Sequence, residues 1–287
     1  MINILITGSN GQLGSELKKS AALFNDANLE FTDVDVLDIT NREALASFCS
    51  GKDFKYIINC AAFTAVDKAE TENSLAHKIN VDAVRNLAEL ASAIDAFLIH
   101  ISTDYVFAGK NFLPYTESDP ISPQSAYGRT KADGEAEALK YAKTIIVRTS
   151  WLYSSFGNNF VKTMLKLTKE REQVNVIFDQ IGTPTYAGDL AKAIISIVNY
   201  QQANKPRPGI YHYSNEGVCS WYDFATEIAE LAGNKAKVFP IETKDYPSVT
   251  QRPYYSVLNK SKIKATFGIT IPHWKESLKI CLKEINR

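Results

Sequence analysis

The stretch Asn3-Ile-Leu-Ile-Thr-Gly-Ser-Asn-Gly-Gln-Leu-Gly14 decides the fold that we expect for this chain. It begins with a short apolar run typical of a buried strand, and a helical pattern starts at Gln12. The three glycines between and within these elements have the spacing of a dinucleotide-binding turn, in which a helix N-terminus faces the pyrophosphate. A turn with a purely structural role is the alternative. We predict cofactor contacts from Gly8, Asn10, Gly11, Gln12, Leu13 and Gly14.

The first half of the chain repeats this alternation of apolar runs and helical segments. The predicted strands span residues 3–6, 29–32, 56–59, 97–102 and 144–149, and the predicted helices span 12–22, 41–49, 74–94 and 126–141. Capping-box patterns also mark helix starts at Thr40 and Ser220. The alternation predicts an α/β fold with a Rossmann-type doubly wound parallel sheet.

Beyond residue 151 the pattern is less regular, because glycine and proline interrupt it repeatedly. We therefore expect residues 1–150 to form an NAD(P)-binding Rossmann domain, to which some later segments return. Residues 151–287 are expected to form mainly a smaller α/β substrate-binding domain.

Composition narrows the range of partners. The chain has 32 Lys and Arg residues against 32 Asp and Glu residues, so we expect no nucleic acid to bind. Its four cysteines are far apart and predict neither a disulfide framework nor a zinc site. With no basic leader and no long apolar run, we expect neither export nor membrane insertion, and predict a cytoplasmic protein.

Acidic residues follow the second predicted strand, about 20 residues beyond the glycines. Asp33 is placed to accept hydrogen bonds from the adenosine ribose, which favours NAD because a carboxylate repels a 2′-phosphate. Asp35 and Asp38 share this loop, so the aspartate that faces the ribose is left open, and Asp38 and Ile39 are expected to flank the adenine. Small residues at Ala61 and Ala62 would let the cofactor lie close to the sheet.

A phenol and an ammonium lie one helical turn apart in Tyr127-Gly-Arg-Thr-Lys131. A nearby cation stabilises a phenolate, so Tyr127 would protonate a carbonyl oxygen while Lys131 lowers the pKa of the phenol and holds the nicotinamide ribose. Thr103, at the end of the fourth strand, would donate a hydrogen bond to the same oxygen, with Ser102 as the alternative. The four histidines lack metal-like spacing, so no metal is predicted.

Together, the glycine turn, Thr103 and Tyr-x-x-x-Lys resemble the extended short-chain dehydrogenase/reductase family. Residues 64–70, 102–107, 148–153, 158–160, 179–184 and 252–253 are similar to one of its branches, the dTDP-4-dehydrorhamnose reductases. The resemblance implies NADPH- or NADH-dependent reduction of the 4-keto group of dTDP-4-dehydro-β-L-rhamnose, which gives dTDP-L-rhamnose for surface polysaccharide.

The resemblance also implies roles for individual residues. Thr103, Tyr127 and Lys131 would be catalytic, and Thr64 would join the cofactor site. Trp151 would form a wall for the sugar, with core packing as the alternative. The full set of expected substrate contacts is Val66, Thr103, Asp104, Tyr105, Trp151, Asn159, Lys162 and Arg252, of which the last three would bind the diphosphate.

Two alternative functions are compatible with the same residues. One is a reductase of another nucleotide-linked 4-keto-6-deoxy sugar, and another is a non-catalytic, cofactor-binding regulatory subunit. A dehydratase is disfavoured because Tyr105 stands where an Asp-Glu pair would end. Some family members dimerise around a metal held by glutamates; Glu16 matches one such position but Asp189 replaces another, so we expect a monomer or a homodimer without that metal.

Overall fold

The computed structural model of the chain describes residues 1–286. Within these residues the strands are β1 (Ile2–Thr7), β2 (Ala27–Phe31), β3 (Phe54–Asn59), β4 (Phe97–Thr103), β5 (Thr144–Thr149), β6 (Leu152–Tyr153), β7 (Gln173–Ile177), β8 (Ile181–Gly182), β9 (Thr185–Tyr186), β10 (Gly209–His212), β11 (Cys219–Ser220) and β12 (Lys237–Ile241). The α-helices are α1 (Gln12–Lys19), α2 (Arg42–Cys49), α3 (Val66–Thr71), α4 (Asn73–His77), α5 (Ala83–Ala93), α6 (Ala126–Ala138), α7 (Phe160–Glu170), α8 (Ala187–Ala203), α9 (Trp221–Leu231), α10 (Ser261–Phe267) and α11 (Trp274–Ile285). A π-helical segment, Lys78–Asp82, joins α4 to α5.

Six parallel strands form the central sheet, in the order β2-β1-β3-β4-β5-β10. The chain passes from β1 to β2 at one edge and then crosses back to β3 on the other side of β1. Where the strand order reverses in this way, a crevice opens at the carboxyl ends of the strands, and ligands bind there. The crevice lies between β1 and β3, so the glycine turn after β1 faces the loop after β3.

Alternate side chains of the central strands enter two apolar cores, one on each face of the sheet. Ile4 and Ile6 of β1 belong to a core with α1 and α8, whereas Leu5 belongs to a core with α2 and α5. All three side chains are fully buried. Strands that are covered on both faces are apolar throughout, as these are. The predicted α/β fold with a Rossmann-type doubly wound sheet is confirmed.

The second half of the chain contributes both to the central sheet and to a separate, smaller unit. β10 extends the central sheet beside β5, and α8 and α10 join the core that contains α1. A smaller α/β unit is built around a third core of α7, α9 and α11, with the parallel pair β7–β12. The division near residue 150 stays a prediction. Among residues 1–286, none of the helices combines the length and apolar character needed to cross a membrane.

The two predicted capping boxes have different outcomes. Ser220 caps α9 and Asp223 returns the hydrogen bond, so this prediction is confirmed. The box predicted at Thr40 is wrong, because Asn41 caps α2 with its own side chain while the Thr40 hydroxyl donates to Asp38. Asparagine is among the strongest N-cap residues, and Asn41 accepts from the Ala44 N–H at 3.0 Å, so α2 begins one residue later than the predicted box implies.

The single helix predicted over residues 74–94 is interrupted by the π-helical segment. Within that segment, the Asn80 side chain accepts a hydrogen bond from the Phe63 N–H at 2.9 Å and donates to the Phe63 carbonyl and the Thr130 hydroxyl, at 3.1 Å each. A β-carbon on Gly134 would lie 2.1 Å from the Asn80 carbonyl oxygen, so α6 rests directly on this segment. The π turn thus ties the loop after β3 to α6, and such turns often occur at functional sites.

Candidate active site

The glycine turn presents backbone N–H groups to the crevice. Gly8 has a φ of +66°, and a β-carbon there would lie 2.5 Å from the Ala61 nitrogen, so only glycine fits. The helix α1 begins after Gly11 with neither a side-chain cap nor an acidic residue in its first turn. Its first N–H groups therefore remain available to an anion, and the turn fits the pyrophosphate of a dinucleotide.

A cleft of about 560 Å³ extends from this turn along the loops after β2 and β3. The predicted residues in its wall are Gly8, Asn10, Gly11, Asp33, Asp38, Ile39, Ala61 and Ala62. Leu13 is buried in the core with α8, so only its backbone can serve a cofactor. Thr64 lies exposed in the loop between β3 and α3. Most of the predicted cofactor positions thus surround one cleft.

Both aspartates in this cleft are bound by nearby donors. Asp33 accepts hydrogen bonds from the backbone N–H groups of Asn10 and Val34, each at 2.8 Å. Asp38 accepts from the hydroxyl and N–H of Thr40, and the hydroxyl is the main cause that lowers the pKa of Asp38. Asp33 therefore tightens the glycine turn as well as lining the cleft.

Thr103, Tyr127 and Lys131 meet at the carboxyl end of β4. Thr103 ends that strand, and the other two lie one turn apart on α6. Burial raises the pKa of Tyr127 to about 12, although a hydrogen bond with Thr103 opposes the rise. The Tyr105 ring packs edge-on against Tyr127, with ring centroids 5.4 Å apart. The sequence placed these groups on separate elements, and the fold brings them together.

Lys131 is almost completely buried. Its Nζ donates to the Ile101 carbonyl at 2.7 Å and lies 3.2 Å from His100 Nε2. Burial lowers the pKa of Lys131 to about 8, although the charge of Glu135 opposes this. Glu135 is itself paired with Arg148 of β5 at 2.6 Å. Lys131 therefore releases its proton more readily than an exposed lysine does.

Asp104 directly follows Thr103 and is buried. Its Oδ1 accepts a hydrogen bond from the Thr103 hydroxyl at 2.9 Å. Burial raises the pKa of Asp104 to about 7, although the bond from Thr103 opposes this. A hydroxyl has one hydrogen, so Thr103 can donate to a substrate oxygen only after Asp104 has released that hydrogen. In this geometry, Asp104 holds the hydrogen that Thr103 would donate to the substrate.

A second cleft, of about 720 Å³, opens in the smaller unit. Its wall includes the aromatic and cationic residues Phe160, Arg171, Trp221, Tyr246 and Arg252. Arg252 donates to Asp67 of α3 at 3.1 Å, and its Nε is buried without a protein partner among the described residues. Burial raises the pKa of Tyr105, and the Arg252 charge opposes that rise. Arg252 thus lies between the second cleft and the group around Thr103.

Trp151 and Val66 border the same region. Trp151 has a φ of +48° and stacks on Trp221, with centroids 3.6 Å apart. One face of its ring is therefore covered, while the residue stays partly exposed. The covered face of Trp151 contributes to core packing, and its exposed part is compatible with a wall for a sugar. Val66 begins α3 and packs in the cluster that contains Tyr105 and Tyr127.

Asn159 and Lys162 lie at the start of α7. The Asn159 side chain caps this helix by accepting from the Lys162 N–H at 3.2 Å. It also donates to the Gln12 side chain at 3.0 Å, which joins α7 to the first turn of α1. Lys162 is half-buried one turn into the helix. Asn159 is therefore near the glycine turn, and its side chain also caps α7.

The two acidic positions considered for a shared metal are engaged within the chain. Glu16 is buried and accepts a hydrogen bond from Ser154 at 2.6 Å. Asp189 is also buried and accepts from Asn215 at 2.9 Å and from the Ser277 hydroxyl. Each carboxylate is therefore satisfied by neighbouring groups of its own chain.

Several residues of the site were not predicted from the sequence. Lys78, from the π-helical segment, lines the first cleft. Asn59 and His100 lie beneath Lys131, a role that the spacing of the four histidines does not indicate. Trp221 carries a helix-start pattern but no signal of a cleft. These contacts join residues far apart in the chain, and no short-range pattern reveals them.

Comparison with known proteins identifies the family. The family model described as RmlD substrate binding domain matches residues 2–287. A dTDP-4-dehydrorhamnose reductase from Aggregatibacter actinomycetemcomitans is 43% identical, over 97% of this chain and 98% of the relative. The chain belongs to the dTDP-4-dehydrorhamnose reductase family. The resemblance seen in the sequence motifs is confirmed.

Solved structures of dTDP-4-dehydrorhamnose reductases agree with this assignment. The one from Clostridium acetobutylicum is 44% identical with a TM-score of 0.95, and the match covers 100% of both chains. The one from Bacillus anthracis, in complex with NADP, is 39% identical with a TM-score of 0.93, over 99% of this chain and 100% of the other. The similarity to family members thus extends over both parts of the fold.

Proposed function

We propose that this chain reduces the 4-keto group of dTDP-4-dehydro-β-L-rhamnose to give dTDP-L-rhamnose, with NADPH or NADH as the reductant, for surface polysaccharide. The observation that carries the proposal is the arrangement of Tyr127 and the buried Lys131 one turn apart on α6, beside Thr103 at the end of β4. The names of its relatives and the NADP complex of one of them support the choice of substrate and cofactor.

The catalytic roles follow from the chemistry of these three groups. A nicotinamide held in the first cleft would supply a hydride to the carbonyl carbon. Tyr127 donates its phenolic proton to the carbonyl oxygen, and Thr103 holds that oxygen with a hydrogen bond. The charged form of Lys131 stabilises the phenolate that remains. On the cofactor, Lys131 would hold the nicotinamide ribose, while Asp33 would hold the adenosine ribose.

The substrate would extend from Tyr127 into the second cleft. Its diphosphate would bind Arg252, with Asn159 and Lys162 as further candidates, because phosphates favour cations and amide donors. The thymine would pack among aromatic residues such as Trp221 in that cleft. The sugar would lie beside Val66, Asp104, Tyr105 and Trp151.

The proposal also covers the division of the chain, its compartment and its assembly. Residues 1–150 would hold mainly the cofactor and residues 151–287 mainly the substrate. The thiols of Cys49, Cys60, Cys219 and Cys281 are free, which fits a reducing cytoplasm. The enzyme would act as a monomer or a homodimer on a small-molecule substrate, without nucleic acid.

The direct test follows nicotinamide absorbance after purified protein is mixed with NADPH or NADH and freshly made dTDP-4-dehydro-β-L-rhamnose. We expect rapid oxidation of the cofactor and formation of dTDP-L-rhamnose, identified by chromatography against a standard. UDP- and GDP-linked 4-keto-6-deoxy sugars serve as controls for substrate choice. Turnover of one of these controls, with none of the dTDP sugar, would replace the proposed substrate.

Replacing Arg252 by glutamine tests the position of the diphosphate. We expect KM for the nucleotide sugar to rise about 10- to 100-fold, because a charged hydrogen bond contributes about 1.5–3 kcal/mol. KM for NADPH should stay unchanged. Arg85→Gln is the matched control, because Arg85 also pairs with an aspartate, Asp82 at 2.9 Å, but lies on α5. Equal effects of both variants on KM would argue against a phosphate contact at Arg252.

A further inference from the structure

A row of buried polar side chains crosses the sheet beneath the active site. The Thr7 hydroxyl of β1 donates to Asn59 Oδ1 of β3 at 2.8 Å. Asn59 Nδ2 lies 3.1 Å from His100 Nδ1 of β4, and His100 Nε2 lies 3.2 Å from Lys131 Nζ of α6. All four residues are almost completely buried. The row thus connects the strand that precedes the glycine turn with the lysine beside Tyr127.

The orientation of the Asn59 amide is determined by its neighbours. The Ala61 backbone N–H can only donate, and its nitrogen lies 3.1 Å from Asn59 Oδ1. The oxygen of the amide therefore points to Ala61 and Thr7, and the NH₂ group points to His100. An amide NH₂ can only donate, so Nδ1 of His100 must accept the hydrogen bond.

This arrangement determines which nitrogen of His100 carries hydrogen. Burial and the charge of Lys131 hold the pKa of His100 well below its usual range, so the imidazole is neutral. A neutral imidazole has one donor and one acceptor nitrogen. Because Nδ1 accepts from Asn59, the hydrogen is on Nε2, where it faces Lys131 Nζ. An ammonium has no lone pair to accept that hydrogen, whereas an uncharged amine has one.

We propose that His100 is a positioning residue of the reductase, which Asn59 holds as the Nε2–H tautomer, and which thereby limits the pH range over which Lys131 keeps its charge. The inference rests on the proposed function, because the charge of Lys131 serves the proton transfer from Tyr127. Of the charged groups nearby, Glu135 of the same helix favours the charged form of Lys131 and is itself paired with Arg148 of β5. Asp104, in the turn after β4, acts on Tyr127 instead.

Two substitutions should replace the hydrogen-bond donor that faces Lys131 by an acceptor, each in a different way. In Asn59→Asp, a carboxylate oxygen replaces the NH₂ group, so His100 would carry its hydrogen on Nδ1 and accept at Nε2. In His100→Met, the N–H that faces Lys131 is removed, and the thioether sulfur can only accept, without any added charge. We expect both variants to move the alkaline limb of the kcat/KM profile upward by about one pH unit, since a hydrogen bond to the charged form favours it.

His212→Met is the matched control. His212 is also fully buried, and its Nδ1 lies 3.1 Å from a backbone carbonyl, but it is on β10 and does not contact Lys131. Its alkaline limb should coincide with that of the wild type. If the Asn59 and His100 variants lose activity while their alkaline limbs stay in place, the two residues have a purely structural role and the proposal is wrong.

The tautomer can also be measured without turnover. Long-range ¹H–¹⁵N correlation spectra of protein labelled with ¹⁵N-histidine distinguish the two neutral tautomers, and His100→Met identifies the His100 signals by their disappearance. We expect the Nε2–H form in the wild type and the Nδ1–H form in Asn59→Asp. A wild-type signal from the Nδ1–H form would overturn the inference, even if the enzyme reduces its proposed substrate. Conversely, the Nε2–H form without turnover would leave the tautomer assignment correct and the proposed function wrong.

Discussion

Replacing Tyr127 by phenylalanine is expected to lower kcat for the nucleotide sugar by about 10²- to 10⁴-fold, the usual contribution of general acid catalysis. The substitution removes one oxygen atom, and burial of the ring is retained. The phenolic O–H is therefore the only proton donor that the variant loses from this position. The dissociation constant for NADPH should change little, because Lys131 and the glycine turn remain.

The measurement is single-turnover oxidation of NADPH with the keto sugar in excess, together with NADPH titration by fluorescence. Tyr56→Phe is the control, because Tyr56 is equally buried but stacks on Phe97 away from the site. A Tyr127→Phe enzyme that retains more than a tenth of wild-type kcat would show that another group delivers the proton. Asp104 would then be the first candidate, since its pKa is raised to about 7.

Replacing Gly8 by alanine should abolish measurable cofactor binding and destabilise the protein. An alanine at a φ of +66° costs about 1–2 kcal/mol in backbone conformation alone. In addition, its β-carbon would lie 2.5 Å from the Ala61 nitrogen and force β1 and β3 apart at the crevice. Any such shift also moves the first turn of α1, where the pyrophosphate would bind.

Gly51→Ala separates these two effects. Gly51 has a φ of +72°, and a β-carbon there would meet no atom within 4 Å. The control should therefore show only the backbone cost, seen as a modest fall in melting temperature, with unchanged NADPH affinity. Thermal unfolding and isothermal titration with NADPH measure both quantities. If Gly8→Ala binds NADPH as tightly as Gly51→Ala does, the glycine turn does not hold the cofactor as proposed.

The sequence predicted those features that depend on neighbours in the chain. The glycine turn, the strands before and after it, and the pair Tyr127 and Lys131 all lie within short stretches whose spacing reflects one turn or one helix. The doubly wound sheet followed from alternation of such stretches. The cap at Ser220 was predicted for the same reason, since Asp223 lies three residues away.

Features that depend on contacts between distant parts of the chain could not be predicted from such short stretches. The break at residues 78–82 exists because Asn80 bonds to Phe63 and Thr130, and Gly134 leaves space for its carbonyl. The tautomer of His100 depends on Asn59, 41 residues earlier in the chain. At Thr40, by contrast, the error was local, because two adjacent residues can both cap a helix and the pattern does not rank them. The roles of the individual site residues remain predictions.

The position of β10 has a consequence for the synthesis of this protein. β5 is buried along its whole length, yet one of its edges is covered by a strand that begins 60 residues after β5 ends. During synthesis, that edge stays unpaired until β10 has been made, and the apolar face behind it stays uncovered until α8 has been made. A nascent chain of the first 150 residues therefore displays unpaired backbone groups beside exposed apolar surface, the combination that chaperones recognise and that promotes aggregation. The first half of the protein therefore completes its fold only together with the second half.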